Sequence, residues 1–282
     1  MRAIFATDLS EASETAISSR TCLECLERIG IDEVHLITVL SANVHYGMPG
    51  INFDEQRERA LAAQRRLFEE AGFDVETHVV RGTPHRRING LAERIRADLV
   101  IVGSRGQSPL ERRLIGSTAR NIARTTVAPL LIERIAEDDG DHEVVREHLF
   151  QRVLYATDFS ENAERAFEQF RHLKDATQEA TLLHVAGPEQ RRTDAAVEDP
   201  ETRLDDLAAD LEEWGIETTT QVREGKPAEE ILATEAAVDP TVILLGSRGH
   251  SRLRRLLIGS VSEQVVARAN GNVLIVPPSR MS

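Results

Sequence analysis

A chain of 282 residues has room for two domains of common size, and 41% hydrophobic with 29% charged residues fits a globular protein. No apolar run approaches the roughly 18 to 20 residues that cross a bilayer, and the apolar start Met1–Ala6 is too short for a signal-peptide core, so no membrane partner and a cytoplasmic location are expected. A formal net charge of −13 argues against a nucleic-acid partner, because neutralising phosphates along a duplex needs a basic face.

In chain order, short β-rich apolar runs alternate with longer helical patterns. Strands are predicted at 2–6, 33–40, 74–80, 99–102 and 130–132, with helices at 10–28, 55–71, 84–96 and 117–125 between them. Residues 41–54, with Asn43, Gly47, Pro49, Gly50 and Asn52, read as a loop. Cys22 and Cys25 form a C-x-x-C well inside the first helix, with no second Cys or His pair beside it, and are expected to be ordinary helix residues. Residues 137–147 are rich in Asp and Glu and read as part of a linker. The second half repeats the alternation, with strands at 152–156, 180–185, 217–222, 242–245 and 273–276.

The repeat is visible in the residues themselves. Ala6-Thr7-Asp8-Leu9-Ser10-Glu11 returns as Ala156-Thr157-Asp158-Phe159-Ser160-Glu161, and eleven of the fifteen residues 103–117 are identical in 246–260. The offset is 150 at the first match and 143 at the second, so the first half carries seven extra residues, assigned to the loop at 41–54. The expected division is a domain over 1–135, an acidic linker over 136–149 and a second domain over 150–282. Each domain is expected to be a five-stranded, mostly parallel sheet with helices on both faces. In such sheets ligands sit outside the C-terminal ends of the strands, where the strand order reverses.

The candidate site residues fall at those ends. Gly103-Ser104-Arg105-Gly106 follows the fourth strand of the first half and Gly116-Ser117 opens the next helix; Gly246-Ser247-Arg248-Gly249 and Gly259-Ser260 repeat the spacing. Glycine there is expected to allow positive φ and close approach of the backbone to a ligand, and the helix N-terminus that follows suits an anion. Arg105 and Arg248 can pair with phosphates, whereas Arg112, Arg113, Arg254 and Arg255 read as a solvated face. Neither half carries a Walker G-x-x-x-x-G-K-[ST] or a G-x-G-x-x-G after its first strand, which disfavours a fast P-loop NTPase and a dinucleotide dehydrogenase.

A G-x-x-G, nine residues, then G-[ST], after the fourth strand of a repeat whose first strand ends in Asp, resembles the ATP-binding signature of the universal stress protein family. The resemblance covers nearly the whole chain, twice, and implies two tandem Rossmann-like domains of the adenine nucleotide alpha hydrolase type. It also implies ATP or AMP as ligand, with or without Mg²⁺. Asp8 and Asp158, with Thr7 and Thr157 beside them, would face the ribose and adenine side. Val39 and Val185 would line the adenine slot, while Gly103, Gly106, Gly116 and Ser117, and Gly246, Gly249, Gly259 and Ser260, would surround the phosphates. The two halves would pack as a pseudo-dimer through their last strands, and a homodimer of full-length chains stays open. The function implied is nucleotide binding in stress response or signalling, with a slow ATPase or a scaffold with vestigial sites as alternatives, and no catalytic residue or protein-bound metal is assigned.

Structural alternatives accompany these assignments. An Asp after a strand, followed by Ser10 or Ser160, is often a turn or cap residue, and Ser260-x-x-Glu263 can be a capping box. Gly82-Thr83-Pro84 and Gly225-Lys226-Pro227 read as structural strand-to-helix turns, although the resemblance also places this turn near the nucleotide. His85, His184 and His250 each lie near a strand end in one half only, and none reads as a general base.

Overall fold

The computed structural model describes residues 1–10, 13–14, 17, 20–40, 53–104, 115–138, 141–144, 148–187, 199–249 and 258–279, with the backbone alone at 20–22, 53–56, 136–138 and 141–144. The chain divides into two compact units, Met1–Glu147 and His148–Ser282.

In the first unit, β1 (Arg2–Ala6) leads to α1 (Arg20–Arg28), β2 (Glu33–Leu40), α2 (Phe53–Glu70), β3 (Asp74–Arg81), α3 (Pro84–Ile95), β4 (Leu99–Gly103), α4 (Ser117–Thr125) and β5 (Leu130–Glu133). The strands are parallel in the order β3-β2-β1-β4-β5. Strands buried on both faces need near-continuous apolar runs, and β1 supplies one in Ala3, Ile4 and Phe5. Helix α4 buries Ala119, Ile122 and Ala123, the i, i+3, i+4 stripe of a helix laid on a sheet. Phe5 and Phe73 pack against Phe68 at ring distances of 5.6 and 6.0 Å, closing the core under α2. Cys25 is buried in α1.

The acidic stretch after β5 is not plain linker. β6 (Ile135–Asp138) and β7 (Asp141–Val144) pair antiparallel, with Ile135 opposite Val144. The seven extra residues of the first half, assigned to the loop at 41–54, lie almost wholly outside the described residues.

The second unit runs β8 (Arg152–Thr157), α5 (Glu161–Phe167), α6 (Phe170–Leu173), β9 (Glu179–Ala186), α7 (Pro200–Glu212), β10 (Glu217–Glu224), α8 (Pro227–Val238), β11 (Val242–Gly246), α9 (Ser260–Arg268) and β12 (Asn272–Val276). Its parallel order β10-β9-β8-β11-β12 repeats that of the first unit. In each unit the chain leaves the first strand toward one side of the sheet and returns to pair the fourth strand on its other side. The order therefore reverses between β1 and β4, and between β8 and β11, which opens a crevice at their C-terminal ends. Both units are Rossmann-like α/β domains with helices on both faces. Among the described residues no helix is long and apolar enough to cross a membrane.

Candidate functional site

Each first strand ends in the same turn. Leu9 and Phe159 adopt φ of 60° and 59°, left-handed values that are uncommon for side chains of this size. Local hydrogen bonds hold them there: Leu9 N donates to Thr7 Oγ1 at 3.0 Å and Ser10 N to Asp8 Oδ1 at 3.1 Å. Phe159 N donates likewise to Thr157 Oγ1 at 2.9 Å and Ser160 N to Asp158 Oδ1 at 3.0 Å. The turn role weighed for the two aspartates is therefore real, since one carboxylate oxygen of each accepts from the backbone two residues on. Asp158 does more, because its Oδ2 lies against Cα of Gly249 in the glycine loop. Thr7 and Thr157 are buried beneath these turns.

The glycine loops are pinched shut at their ends. Gly116 N donates to Ser104 O at 2.8 Å and Gly259 N to Ser247 O at 2.7 Å, joining the strand end to the start of the helix. Positive φ is not what these glycines provide: Gly116 and Gly259 have φ of −58° and −67°, and Gly103, Gly246 and Gly249 are not among the positive-φ glycines either. Close approach requires them instead. A Cβ on Gly246 would come within 2.9 Å of Asn162 O, and one on Gly249 would collide with the Asp158 carboxylate. Positive φ appears at the neighbouring turns, at Gly82 (140°) and Gly225 (152°). Arg105 and Gly106 lie outside the described residues, as do His250, Gln107, Arg112, Arg113, Arg254 and Arg255.

Gly116 and Gly259 are the N-caps of α4 and α9, so Ser117 and Ser260 are first helical residues. The capping box proposed for Ser260 and Glu263 needs Ser260 one position earlier and does not form. Ser262 instead ties α9 to the strand end, its hydroxyl donating to Gly246 O at 2.8 Å.

In the second unit these parts enclose a cavity of about 290 Å³. Thr157, Asp158, Val185, Gly246, Arg248, Gly249, Gly259 and Ser260 all line it. Leu183, Ala163, Leu245, Ile231 and Pro227 supply an apolar wall. Pro227, in a turn read as structural and placed near the nucleotide by the family resemblance, lines the crevice, because α8 begins at its rim. In the first unit Thr7, Asp8, Gly103, Gly116 and Ser117 occupy the matching strand and helix ends, with Val39 half-buried near the end of β2.

Asn162 organises the loop and carries no sequence flag. Its Oδ1 accepts from Arg248 N at 2.9 Å and its Nδ2 donates to Val276 O at 3.1 Å, tying α5 to the glycine loop and to the end of β12. Behind the wall, Tyr155 donates its hydroxyl to Ala163 O at 2.7 Å, and burial pushes its phenol far above the usual tyrosine range. His184 is buried with Nδ1 3.0 Å from Thr157 O, and its ring stacks at 4.6 Å on Phe159, which Arg203 covers from 4.0 Å. It supports the turn and does not line the cavity. His85 lies in the first turn of α3.

The arrangement offers a helix N-terminus and a guanidinium-bearing loop for an anion, a carboxylate for hydroxyl donors, and an apolar slot between them. Comparison with known proteins gives the same placement at the level of family, since the sequence profile described as Universal stress protein family matches residues 1–134 and again 149–277. The chain belongs to the universal stress protein family. A universal stress protein of Methanocaldococcus jannaschii is 28% identical over 156 residues, which is 45% of this chain and 95% of that protein. A universal stress protein of Mycolicibacterium smegmatis is 26% identical over 242 residues, 79% of this chain and 75% of its own. The crystal structure of a universal stress protein from Archaeoglobus fulgidus superposes with a TM-score of 0.75 at 25% identity, covering 99% of this chain and 98% of its own. The likeness to a whole second chain extends through both universal stress protein domains.

Proposed function

We propose that this universal stress protein binds an adenine nucleotide, ATP or AMP, in the crevice of each domain and acts through the bound state in stress response. The observation that carries the reading is the second-unit cavity, where Asp158, the Gly246–Gly249 turn and Ser260 at the start of α9 face one another across an apolar slot. In this reading the adenine lies against Val185 and the ribose hydroxyls donate to Asp158. The phosphates take the N–H groups of the first turn of α9, the Ser260 hydroxyl and Arg248. Among the described lining residues Asp158 is the carboxylate, so a Mg²⁺ ion would be held mainly by phosphate oxygens and water, the usual arrangement for this reluctantly dehydrated cation. Its chemistry there would be to neutralise phosphate charge. The first unit repeats the motif with Thr7, Asp8, Val39, Gly103, Arg105, Gly106, Gly116 and Ser117.

Calorimetric titration of nucleotide-stripped protein with Mg-ATP tests this. Two sites per chain are expected, with micromolar constants that correspond to about −8 kcal/mol. Failure to bind at millimolar ATP would overturn the reading.

One observation favours the scaffold alternative. Gly246 and Gly249 are required by Asn162 and Asp158, so the glycine pattern would persist in a protein that had lost its ligand. Slow hydrolysis by positioning and Mg²⁺ is a separate matter, decided by whether phosphate release saturates with ATP and falls in Asp158→Asn.

A further inference from the structure

Away from both crevices, the first unit gathers a second set of chemistry-bearing groups. Glu33-Val34-His35 lies on β2 and Glu76-Thr77-His78 on β3. Alternation along a strand puts each Glu and its His on one face, and the register sets His35 opposite Glu76 with His78 one step diagonal. His35 Nδ1 stands 2.9 Å from His78 Nε2 and 3.6 Å from Glu76 Oε2, and His78 Nε2 stands 3.7 Å from Glu76 Oε1. These spacings bracket the roughly 3.3 Å between neighbouring ligands of tetrahedral zinc with bonds near 2.0 to 2.1 Å. We propose that His35 Nδ1, His78 Nε2 and a Glu76 carboxylate oxygen form a site for a borderline divalent transition metal of the Zn²⁺ type, with water completing the coordination.

Three features support the assignment. His35 Nε2 lies 2.8 Å from Glu33 Oε1. A carboxylate can only accept, so the proton sits on Nε2 and the Nδ1 lone pair points at the site; this is the carboxylate–histidine pairing that orients metal ligands. His35 is 3% exposed, and Glu76, 65% exposed, leaves an entry path and room for water. Two imidazoles and a carboxylate suit Zn²⁺, Ni²⁺ or Co²⁺, whereas Mg²⁺ and Ca²⁺ prefer all-oxygen sets. In the metal-free state His78 Nε2–H donates to His35 Nδ1; on binding, the His78 proton moves to its Nδ1 and the ion takes the shared place. Arg2, on Glu33, and Arg94, near His78, are the neighbouring cations that the two glutamates offset.

The second unit provides an internal control. Its register aligns Glu179 with Glu33 and Glu217 with Asp74, which puts Thr181, Thr219 and Gln221 where the first unit has His35, Glu76 and His78. The fold therefore does not require the cluster, and a substitution that copies the second unit is one that this sheet already accommodates.

The test is titration of the untagged, nucleotide-free full chain with Zn²⁺ in competition with a chromophoric chelator, with thermal melting in parallel. One tight ion per chain is expected, together with a Zn²⁺-dependent rise in Tm. His78→Gln and Glu76→Thr should each weaken binding at least about tenfold, abolish the Tm rise, and leave Mg-ATP binding unchanged. Absence of saturable uptake by about 0.1 mM Zn²⁺, or equal affinity in both variants, would overturn the site.

Discussion

At Gly249 the space beyond Cα is already taken by the Asp158 carboxylate. A methyl group there meets the Asp158 carboxylate, which is fixed from its other oxygen by Ser160 N and cannot yield without breaking the turn. Gly249→Ala is therefore expected to weaken nucleotide binding at the second site about tenfold or more, about 1.4 kcal/mol, while the first site keeps its affinity; two-site calorimetry reads both. The requirement for glycine was legible in the sequence, but its cause was not. Spacing suggested a backbone bent to positive φ around a ligand, whereas a side chain ninety-one positions upstream fills the space a Cβ would need. The His35, Glu76 and His78 cluster escaped the sequence reading for a related reason. Two E-x-H triplets are visible, but they become one site only through the β2–β3 register, which no local pattern encodes.

Elements were read more securely than the ties between them. Strands such as Leu99–Gly103 announce themselves because double burial demands unbroken apolar runs, and most expected ends differ from the observed ones by a residue or two. The antiparallel pair of β6 and β7 is not legible in the sequence, because its acidic residues carry no apolar alternation from which to infer it. Nor does local sequence show which side chains lash elements together. Asn162 joins α5 to two distant segments, and Glu235 of α8 accepts through Oε1 from Asn270 N at 2.8 Å and Gly271 N at 2.7 Å, holding the turn before β12. Removing this buried carboxylate strands two backbone donors. Glu235→Ala should cost about 2 to 3 kcal/mol in urea unfolding with little change in slope.

Across the whole molecule, charge and duplication set the behaviour. A chain of net charge −13 repels a nucleotide anion at long range, so any nucleotide it binds would be held by short-range geometry. Salt should then help arrival: the association rate for Mg-ATP is expected to rise about two- to threefold between about 20 and 200 mM salt, measured by stopped flow. A nucleic-acid binder would show the opposite sign. Duplication itself was the most legible property, since the repeated motifs fix the domain count without any knowledge of contacts. The bonds from Gly116 N to Ser104 O and from Gly259 N to Ser247 O give that duplication a practical meaning. Each bond sets the end of the fourth strand against the residue that caps the next helix, so strand end and helix start keep one spacing in both units. Such a bond works as a gauge block: two copies of one ancestral unit can differ elsewhere, yet each presents its helix N-terminus at the same distance from its strand end.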